Sequence, residues 1–227
     1  MNSLISKART DIAFKSTCGE VEKMLELSES TISAGVNPVG AKYMPYSGLL
    51  ISRRPDWVLT AKGLSKYIWD FESSSTENLY GRYLSYGHVE ISRLSQKTKS
   101  FQPANADWDW SHIPGTTSKY LTKTELNSQN YPTLQRNFSD EPFLGGLAFN
   151  RDVSVFANIL HDNSFDTGFY ARKSVFQFDS IYTCLGSGIK NSDRNYFVHT
   201  TLFQNQKINS NDVVGVNGSN VNSTARS

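Results

Sequence analysis

The stretch "DVSVFANILHDNSFDTGFYARKSVFQFDSIYTCLGSG", residues 152–188, has a pronounced β-strand pattern. It contains three runs, "DVSVFANIL", "GFYARKSVFQFD" and "SIYTCLGSG", which are rich in β-branched and aromatic residues. Asp, Asn and Ser residues separate the runs, and these residue types favour turns. Short apolar runs joined by turns are typical of antiparallel strands. The stretch therefore predicts consecutive β-hairpins.

The same pattern continues on both sides of this stretch. The segment "LLISRRPDWVLTAKGLSKYIWDFES", residues 49–73, predicts two strands joined at "RRPD", the second interrupted by Gly63 as at a bulge. The runs "HVEISRL", "FLGGLAFN" and "YFVHTTLFQ" add further strands. Many short strands at this spacing predict an all-β fold, a large antiparallel β-sandwich.

The two ends of the chain differ from its centre. Within residues 1–33, "CGEVEKMLELSES" has apolar residues at near-helical spacing and predicts one short N-terminal helix. Closely spaced Gly and Pro residues predict a linker at 34–48. We expect the sandwich domain over 49–205. The Asn-, Ser- and Gly-rich residues 206–227 predict a flexible polar tail.

Composition excludes several classes of protein. The net charge of +2 is too small to indicate a nucleic-acid partner, and no run of eighteen apolar residues predicts a membrane span. The first residues, "MNSLISKARTDIAF", show no signal peptide, which fits either a cytoplasmic protein or a chain whose N-terminus lies upstream. Cys18 and Cys184 are far apart in the sequence, and we expect two separate buried thiols rather than a disulfide.

A polar and aromatic segment, "FESSSTENLYGRYLSYG" at residues 71–87, interrupts the strand pattern. It is either a hairpin with a long turn or one wall of a carbohydrate-binding cleft, because aromatic rings stack on the C–H faces of sugars. Its two carboxylates, Glu72 and Glu77, are also a conceivable glycosidase pair, although sequence does not give their separation.

Common catalytic signatures are absent from the sequence: it has no nucleophile elbow, phosphate-binding loop, dinucleotide fingerprint or zinc-protease motif. Its four histidines are scattered singly. In "NADWDWSHIPGTT", Asp107 and Asp109 either offer oxygens to a hard divalent cation or cap the backbone of a loop pinned by Trp108 and Trp110. The sequence predicts no cofactor, and it does not decide whether the protein binds a divalent cation.

Four segments together resemble one family in the same order along the chain. They are "RPDWVLTAKGLSKYIWDFESSSTENLYGRYLSYG", "ADWDWSHIPGTTSKYL", residues 145–195 and "VHTTLFQ". These segments resemble the central β-sandwich of the family 8 polysaccharide lyases, most closely the chondroitin sulfate ABC lyases, over roughly residues 20–205. The resemblance implies a super-sandwich similar to galactose mutarotase.

The resemblance also implies an activity, the eliminative cleavage of glycosaminoglycans. The C5 proton of a uronic acid is removed, the 4-linked oxygen leaves, and an unsaturated sugar results. In the family an Asn or His neutralises the uronate carboxylate, a Tyr acts as base and acid, and an Arg supports the Tyr. These groups lie mostly on a helical toroid domain that precedes the sandwich, and the sandwich contributes a Glu.

Matched residue by residue, Glu72 falls where the family places that Glu, before an Asn-x-x-Gly-x-Tyr motif formed here by Asn78, Gly81 and Tyr83. Related branches place the Glu directly before the motif Asn, at Glu77. The alternative for Glu72 is a structural carboxylate that binds a neighbouring Arg. We therefore predict one catalytic residue, Glu72, from the resemblance, and a set of substrate-binding residues from the motif and from charged and aromatic side chains that can contact an anionic sugar. That set is Glu77, Asn78, Arg82, Tyr83, Trp108 and Trp110.

The expected substrate is an anionic polysaccharide: chondroitin sulfate, dermatan sulfate or hyaluronan. At most the last helix of a toroid fits before residue 34, so we expect the toroid to be missing and this chain to be an inactive middle piece of a lyase. The full enzyme would be secreted or periplasmic. The alternatives are a non-catalytic carbohydrate-binding module and an interaction module of a longer surface protein.

Overall fold

A computed structural model describes residues 38–74, 76–93, 108–127, 138–162, 166–204 and 213–221. The described residues from 39 onward belong to one compact unit. Within them, antiparallel sheets dominate, which confirms the predicted all-β fold. None of the described helices is long and apolar enough to cross a membrane.

Two four-stranded antiparallel sheets form most of the structure. The first sheet has the order β1-β2-β3-β4, and its strands are β1 Gly40–Met44, β2 Leu49–Arg53, β3 Trp57–Lys62 and β4 His88–Arg93. After β5, Thr117–Lys119, and a short helix α1, Lys123–Leu126, the second sheet follows. It has the order β6-β7-β8-β9, and its strands are β6 Leu144–Phe149, β7 Val153–Asp162, β8 Asp166–Phe178 and β9 Ile181–Asn191.

Two smaller antiparallel pairs complete the described strands. Strand β10, Val198–Thr200, pairs with β5, and β11, Val214–Val216, pairs with β12, Ser219–Val221. The β6–β7 and β8–β9 turns contain Asn150 at φ 57° and Asp179 at φ 51°. Asn and Asp tolerate this left-handed conformation better than most residues, which explains why the turn residues seen in the sequence end the strands here.

The core lies between the two large sheets. One cluster of buried side chains mixes residues from β2, β3 and β4 with residues from β7 and β8: Leu50, Leu59, Ala61, Val89, Phe156 and Val175. Period-2 alternation places these side chains on one face of each sheet, so the sheets pack face to face as a sandwich.

Gly63 corrects one prediction about the first sheet. Strand β3 ends at Lys62, so Gly63 follows the strand and does not form a bulge within it. A Cβ atom at Gly63 would lie 2.6 Å from Leu144 Cδ1 and 2.9 Å from Phe156 Cζ. The glycine is therefore needed where the backbone approaches the second sheet closely.

Other boundaries also differ from the sequence prediction. The predicted linker at 34–48 contains β1, which pairs with β2, and the predicted tail at 206–227 contains the β11–β12 hairpin. Cys184 lies exposed on β9, which corrects the prediction of a buried thiol. The predicted N-terminal helix and Cys18 lie outside the described residues.

Candidate functional site

The 71–87 segment leaves the first sheet at one end. Lys62 at the end of β3 pairs with His88 at the start of β4, so the whole connection between them emerges beside that pair. Among the described residues of this connection, only Glu72 forms an isolated β-bridge, and a 3-10 turn spans Gly81–Tyr83. The segment is therefore a long excursion from the sheet rather than a tight hairpin.

Local hydrogen bonds fix the first half of this segment. The Ser74 hydroxyl accepts from the backbone N–H groups of Thr76, at 3.3 Å, and Glu77, at 3.0 Å. The Asn78 side-chain amide donates to the backbone carbonyl of Glu72 at 2.7 Å. Side chains that bond nearby backbone groups stabilise such turns. Asn78 thereby holds the backbone at Glu72, whose own side chain is exposed.

Gly81 and Tyr83 have structural roles in the Asn-x-x-Gly-x-Tyr motif. Asn78 adopts φ 53°, and a Cβ atom at Gly81 would overlap its side-chain oxygen. Tyr83 is only 2% exposed and packs edge-to-face on Tyr86, with ring centroids 4.9 Å apart. Within the motif, Asn78 and Gly81 therefore form the tight turn, and Tyr83 packs into the hydrophobic core.

The loop at 108–116 is fixed by a second set of polar contacts. Asp109 accepts from the Ser111 backbone at 2.9 Å through one carboxylate oxygen and lies 2.8 Å from His112 Nδ1 through the other. The Gln204 side chain donates to the carbonyls of Asp109 and His112 at 3.0 and 2.8 Å. These bonds support the loop-capping interpretation for Asp109, while Asp107 lies outside the described residues.

An aromatic contact joins these two regions. The rings of Tyr80 and Trp110 have centroids 6.2 Å apart and an interplanar angle of 38°. Lys123 places its ammonium 5.0 Å from the centroid of the Tyr80 ring. Lys123 begins α1, where Thr122 and Glu125 form a reciprocal capping box. We call Tyr80, Trp110 and Lys123 the aromatic–lysine surface.

A histidine pair beside this loop was missed by sequence reasoning. His112 and His199 stack with ring centroids 4.3 Å apart, although the sequence shows them as single, scattered residues. Pairing of β5 with β10 places His199 opposite Ser118, and its Nε2 lies 2.9 Å from the Ser111 carbonyl. Burial lowers the pKa of His199, although its hydrogen bond with the Ser111 carbonyl opposes this shift. The spacing of the two histidines in the sequence does not indicate this pair, because strand pairing between distant segments brings them together.

The predicted site residues fall into three groups by exposure. Glu72, Glu77 and Asn78 are exposed. Arg82 and Tyr83 are buried, with the Arg82 guanidinium carbon 6.0 Å from the centroid of the Tyr83 ring. The third group is half-buried and consists of Trp108 and Trp110. The catalytic role of Glu72 and the substrate-binding roles of the other six stay predictions.

Metal binding was left open by the sequence. In the part of the chain that the structure describes, no three His, Cys, Asp or Glu side chains are grouped so that they would hold a metal ion. Asp109, the described member of the Asp pair, uses its carboxylate within its own loop.

Relatives of known activity share much of this chain. A chondroitin sulfate ABC exolyase from Proteus vulgaris is 36% identical over 205 residues, which are 84% of this chain and 20% of the exolyase. One from Bacteroides thetaiotaomicron is 33% identical over 190 residues, 78% of this chain and 19% of that enzyme. This chain therefore spans about a fifth of the length of these relatives.

The fold has a counterpart among solved structures. The chondroitin AC lyase of Streptomyces coelicolor A3, in complex with chondroitin sulphate, matches 81% of this chain and 24% of its own with a TM-score of 0.64 at 22% identity. At this identity the likeness shows the fold alone. Residues 39–227 match the family described as polysaccharide lyase family 8, super-sandwich domain, and the chain therefore belongs to polysaccharide lyase family 8.

Proposed function

We propose that this chain forms the β-sandwich wall of the substrate cleft in a lyase that cleaves chondroitin or dermatan sulfate by β-elimination. The observation that carries the proposal is the aromatic–lysine surface, whose Tyr80 belongs to the same 71–87 segment as the exposed Glu72. Aromatic rings offer an apolar face to a sugar, and a nearby ammonium favours its sulfate or carboxylate. The ABC lyase relatives support the substrate class.

The chemistry explains why one wall is insufficient for turnover. The C5 proton is adjacent to a carboxylate whose negative charge opposes proton removal, so the site needs neutralisation, a base and an acid for the leaving oxygen. We assign Glu72 to this reaction as an acceptor that orients groups across the cleft. Asn78 supports this role because its hydrogen bond to the Glu72 carbonyl fixes the backbone that presents the carboxylate.

Binding by the chain itself tests the proposal. A chondroitin sulfate hexasaccharide is titrated into residues 1–227 by isothermal calorimetry, with Tyr80→Ala and Lys123→Gln as variants. Each variant should weaken binding at least several-fold, and the Lys123 effect should shrink at high salt because exposed charges are screened. Lys123 is exposed, so its variant is not expected to disturb folding.

The chain offers a matched control for this pair. Lys66 places its ammonium 4.9 Å from the centroid of the Tyr67 ring, outside the 71–87 segment and the 108–116 loop. Lys66→Gln and Tyr67→Ala should leave affinity unchanged. Equal weakening by both pairs would overturn the proposed surface. Formation of an ultraviolet-absorbing unsaturated product by residues 1–227 alone would show that a single wall suffices, against the proposal.

A further inference from the structure

A pocket lies between the two large sheets, at the end away from the 71–87 segment. It has a volume of about 350 Å³, within the range of small-molecule binding sites. Its lining residues come from the β2–β3 turn, β3, β4, the β8–β9 turn and β9: Asp56, Trp57, Ile91, Arg93, Ser180 and Tyr182. Neither the site prediction nor the proposed function uses any of these residues.

The strand register separates this pocket from the 71–87 segment. Trp57 pairs with Arg93 at one end of β3 and β4, whereas Lys62 pairs with His88 at the other end. Five residue steps at about 3.4 Å each place these two ends about 17 Å apart. A ligand in the pocket therefore contacts a different part of the sandwich from one on the aromatic–lysine surface.

A buried arginine holds the walls of the pocket together. Arg54, at the β2–β3 turn, is 6% exposed and donates to the Asp152 carboxylate at 2.7 Å and to the Asp179 carbonyl at 2.9 Å. Asp179 directly precedes Ser180. Arg54 thus connects the turn that contains Asp56 and leads into Trp57 to the turn that contains Ser180. The pocket is preformed by this contact, which lowers the ordering cost of binding.

The lining combines the groups that recognise an anionic sugar. Trp57 is half-buried and Tyr182 is 40% exposed, so both rings offer accessible faces. Arg93 is exposed and lies directly opposite Trp57 across β3 and β4. A guanidinium matches a sulfate or carboxylate through paired hydrogen bonds. Asp56 and Ser180 supply acceptors for sugar hydroxyls.

We propose that Asp56, Trp57, Arg93 and Tyr182 form a second binding site, which holds one or two sugar units of an anionic polysaccharide. The site anchors a polysaccharide on the sandwich through contacts separate from those of the aromatic–lysine surface. That the polysaccharide is a glycosaminoglycan rests on the proposed function. Two separate contacts on one long chain raise its overall affinity through effective concentration.

Titration of variants with short and long oligosaccharides tests this site. A chondroitin sulfate tetrasaccharide is titrated into residues 1–227 and into Trp57→Ala, Arg93→Gln and Tyr80→Ala, with circular dichroism confirming the fold of each. The unaltered chain should bind two tetrasaccharides. Trp57→Ala and Arg93→Gln should each remove one binding event or weaken it tenfold or more, while Tyr80→Ala removes the other. A long polysaccharide should lose at least tenfold in affinity with either kind of variant.

Control variants separate the site from general charge effects. Arg172 is exposed on the outer face of β8, and Arg172→Gln makes the same change of charge as Arg93→Gln. It should alter affinity less than twofold. A neutral oligosaccharide of the same length should bind the pocket at least tenfold more weakly. Hyaluronan, which has carboxylates but no sulfates, shows whether a carboxylate alone is enough for binding.

The two proposals fail in different ways. If Trp57→Ala and Arg93→Gln bind like the unaltered chain while Tyr80→Ala loses all binding, the second site is wrong and the proposed function stands. If the first two variants lose all binding while Tyr80→Ala has no effect, the second site stands and the aromatic–lysine surface is wrong. Equal binding of the neutral sugar in the pocket would overturn its assignment to anionic sugars.

Discussion

The rings of Tyr80 and Trp110, with centroids 6.2 Å apart, connect the 71–87 segment to the loop at 108–116. Each ring also packs against the hydrophobic cluster that contains Tyr83 and Tyr86. The candidate surface is therefore an extension of the core rather than a separate loop assembly. Its geometry therefore depends on the packing of the sandwich.

Gly81→Ala should destabilise the protein because the new Cβ overlaps the side-chain oxygen of Asn78. Forcing an extra methyl group into a packed site typically costs about 1–3 kcal/mol. Urea unfolding should show this loss. Gly215→Ala is the control, since a Cβ at Gly215 has no neighbour within 4 Å, and it should change stability by less than about 0.5 kcal/mol. Equal effects would contradict a packed Asn78–Gly81 contact.

Lys173 should make stability rise with pH in the alkaline range. It is 7% exposed and donates to Thr117 Oγ1 at 2.9 Å and to the Gly115 carbonyl. Burial lowers the pKa of Lys173 to about 8, whereas its ordinary value is 10.5. Between these values the unfolded chain binds more protons, so the free energy of unfolding increases as pH rises from about 8 to 10.5.

A Lys173→Met variant isolates this contribution from other alkaline titrations. The gain in unfolding free energy between pH 8 and pH 10 should be about 2 kcal/mol larger in the unaltered chain than in the variant. Urea unfolding at a series of pH values measures the difference. Parallel stability curves for the two proteins would refute a buried, destabilised ammonium at this position.

His88 should contribute to the loss of stability in acid. Its side chain is 13% exposed, and burial lowers the pKa of His88 from 6.5 to about 4. The neutral ring is favoured in the folded state, so its contribution is full above pH 6.5 and is lost as pH falls to about 4. The full pKa difference corresponds to about 3 kcal/mol. In the His88→Gln variant, the free energy of unfolding should fall less steeply between pH 6.5 and pH 4. An equally steep fall in the variant would show that His88 does not contribute to the loss of stability in acid.

The outer face of the second sheet should make the isolated chain associate. Leu147, Phe149, Phe178 and Ile181 are each more than half exposed, and β9 is an edge strand. Exposed apolar patches and open strand edges promote association. Light scattering after size exclusion should show a mass that rises with concentration, and Phe149→Glu should reduce it. A monomer at all concentrations would contradict this expectation.

Local sequence patterns predict most of the strands. Alternation and turn residues identified β4, β6, β7 and β8, since a half-buried strand and its turns leave a local signal. The 11-residue strand β9 runs beyond the predicted "SIYTCLGSG" to Asn191, because its pairing with β8 is set by the neighbouring strand. Strand β1 was missed because Gly and Pro residues around it favour a loop, and its pairing with β2 outweighs that preference.

The candidate site was predicted less completely than the fold. The segments that contain Tyr80 and Trp110 were identified, but their contact joins residues thirty positions apart and has no local signature. The His112–His199 pair and the contacts of Arg54 with Asp152 and Asp179 were not predicted either, because they also join residues far apart in the sequence. Tyr83 was predicted to bind substrate from its motif, whereas its burial depends on packing that a sequence alone does not display.

Mapping the bound sugar by NMR shows whether the 71–87 segment, the 108–112 loop and Lys123 together contact the polysaccharide. Backbone amide spectra of residues 1–227 are recorded by NMR during titration with a chondroitin sulfate hexasaccharide. If these residues form the wall of the cleft, signals from 71–87, from 108–112 and from Lys123 should shift together and saturate at one ligand concentration. If the sugar binds but the signals from all three regions do not shift, the proposal that these residues form the wall of the cleft is wrong.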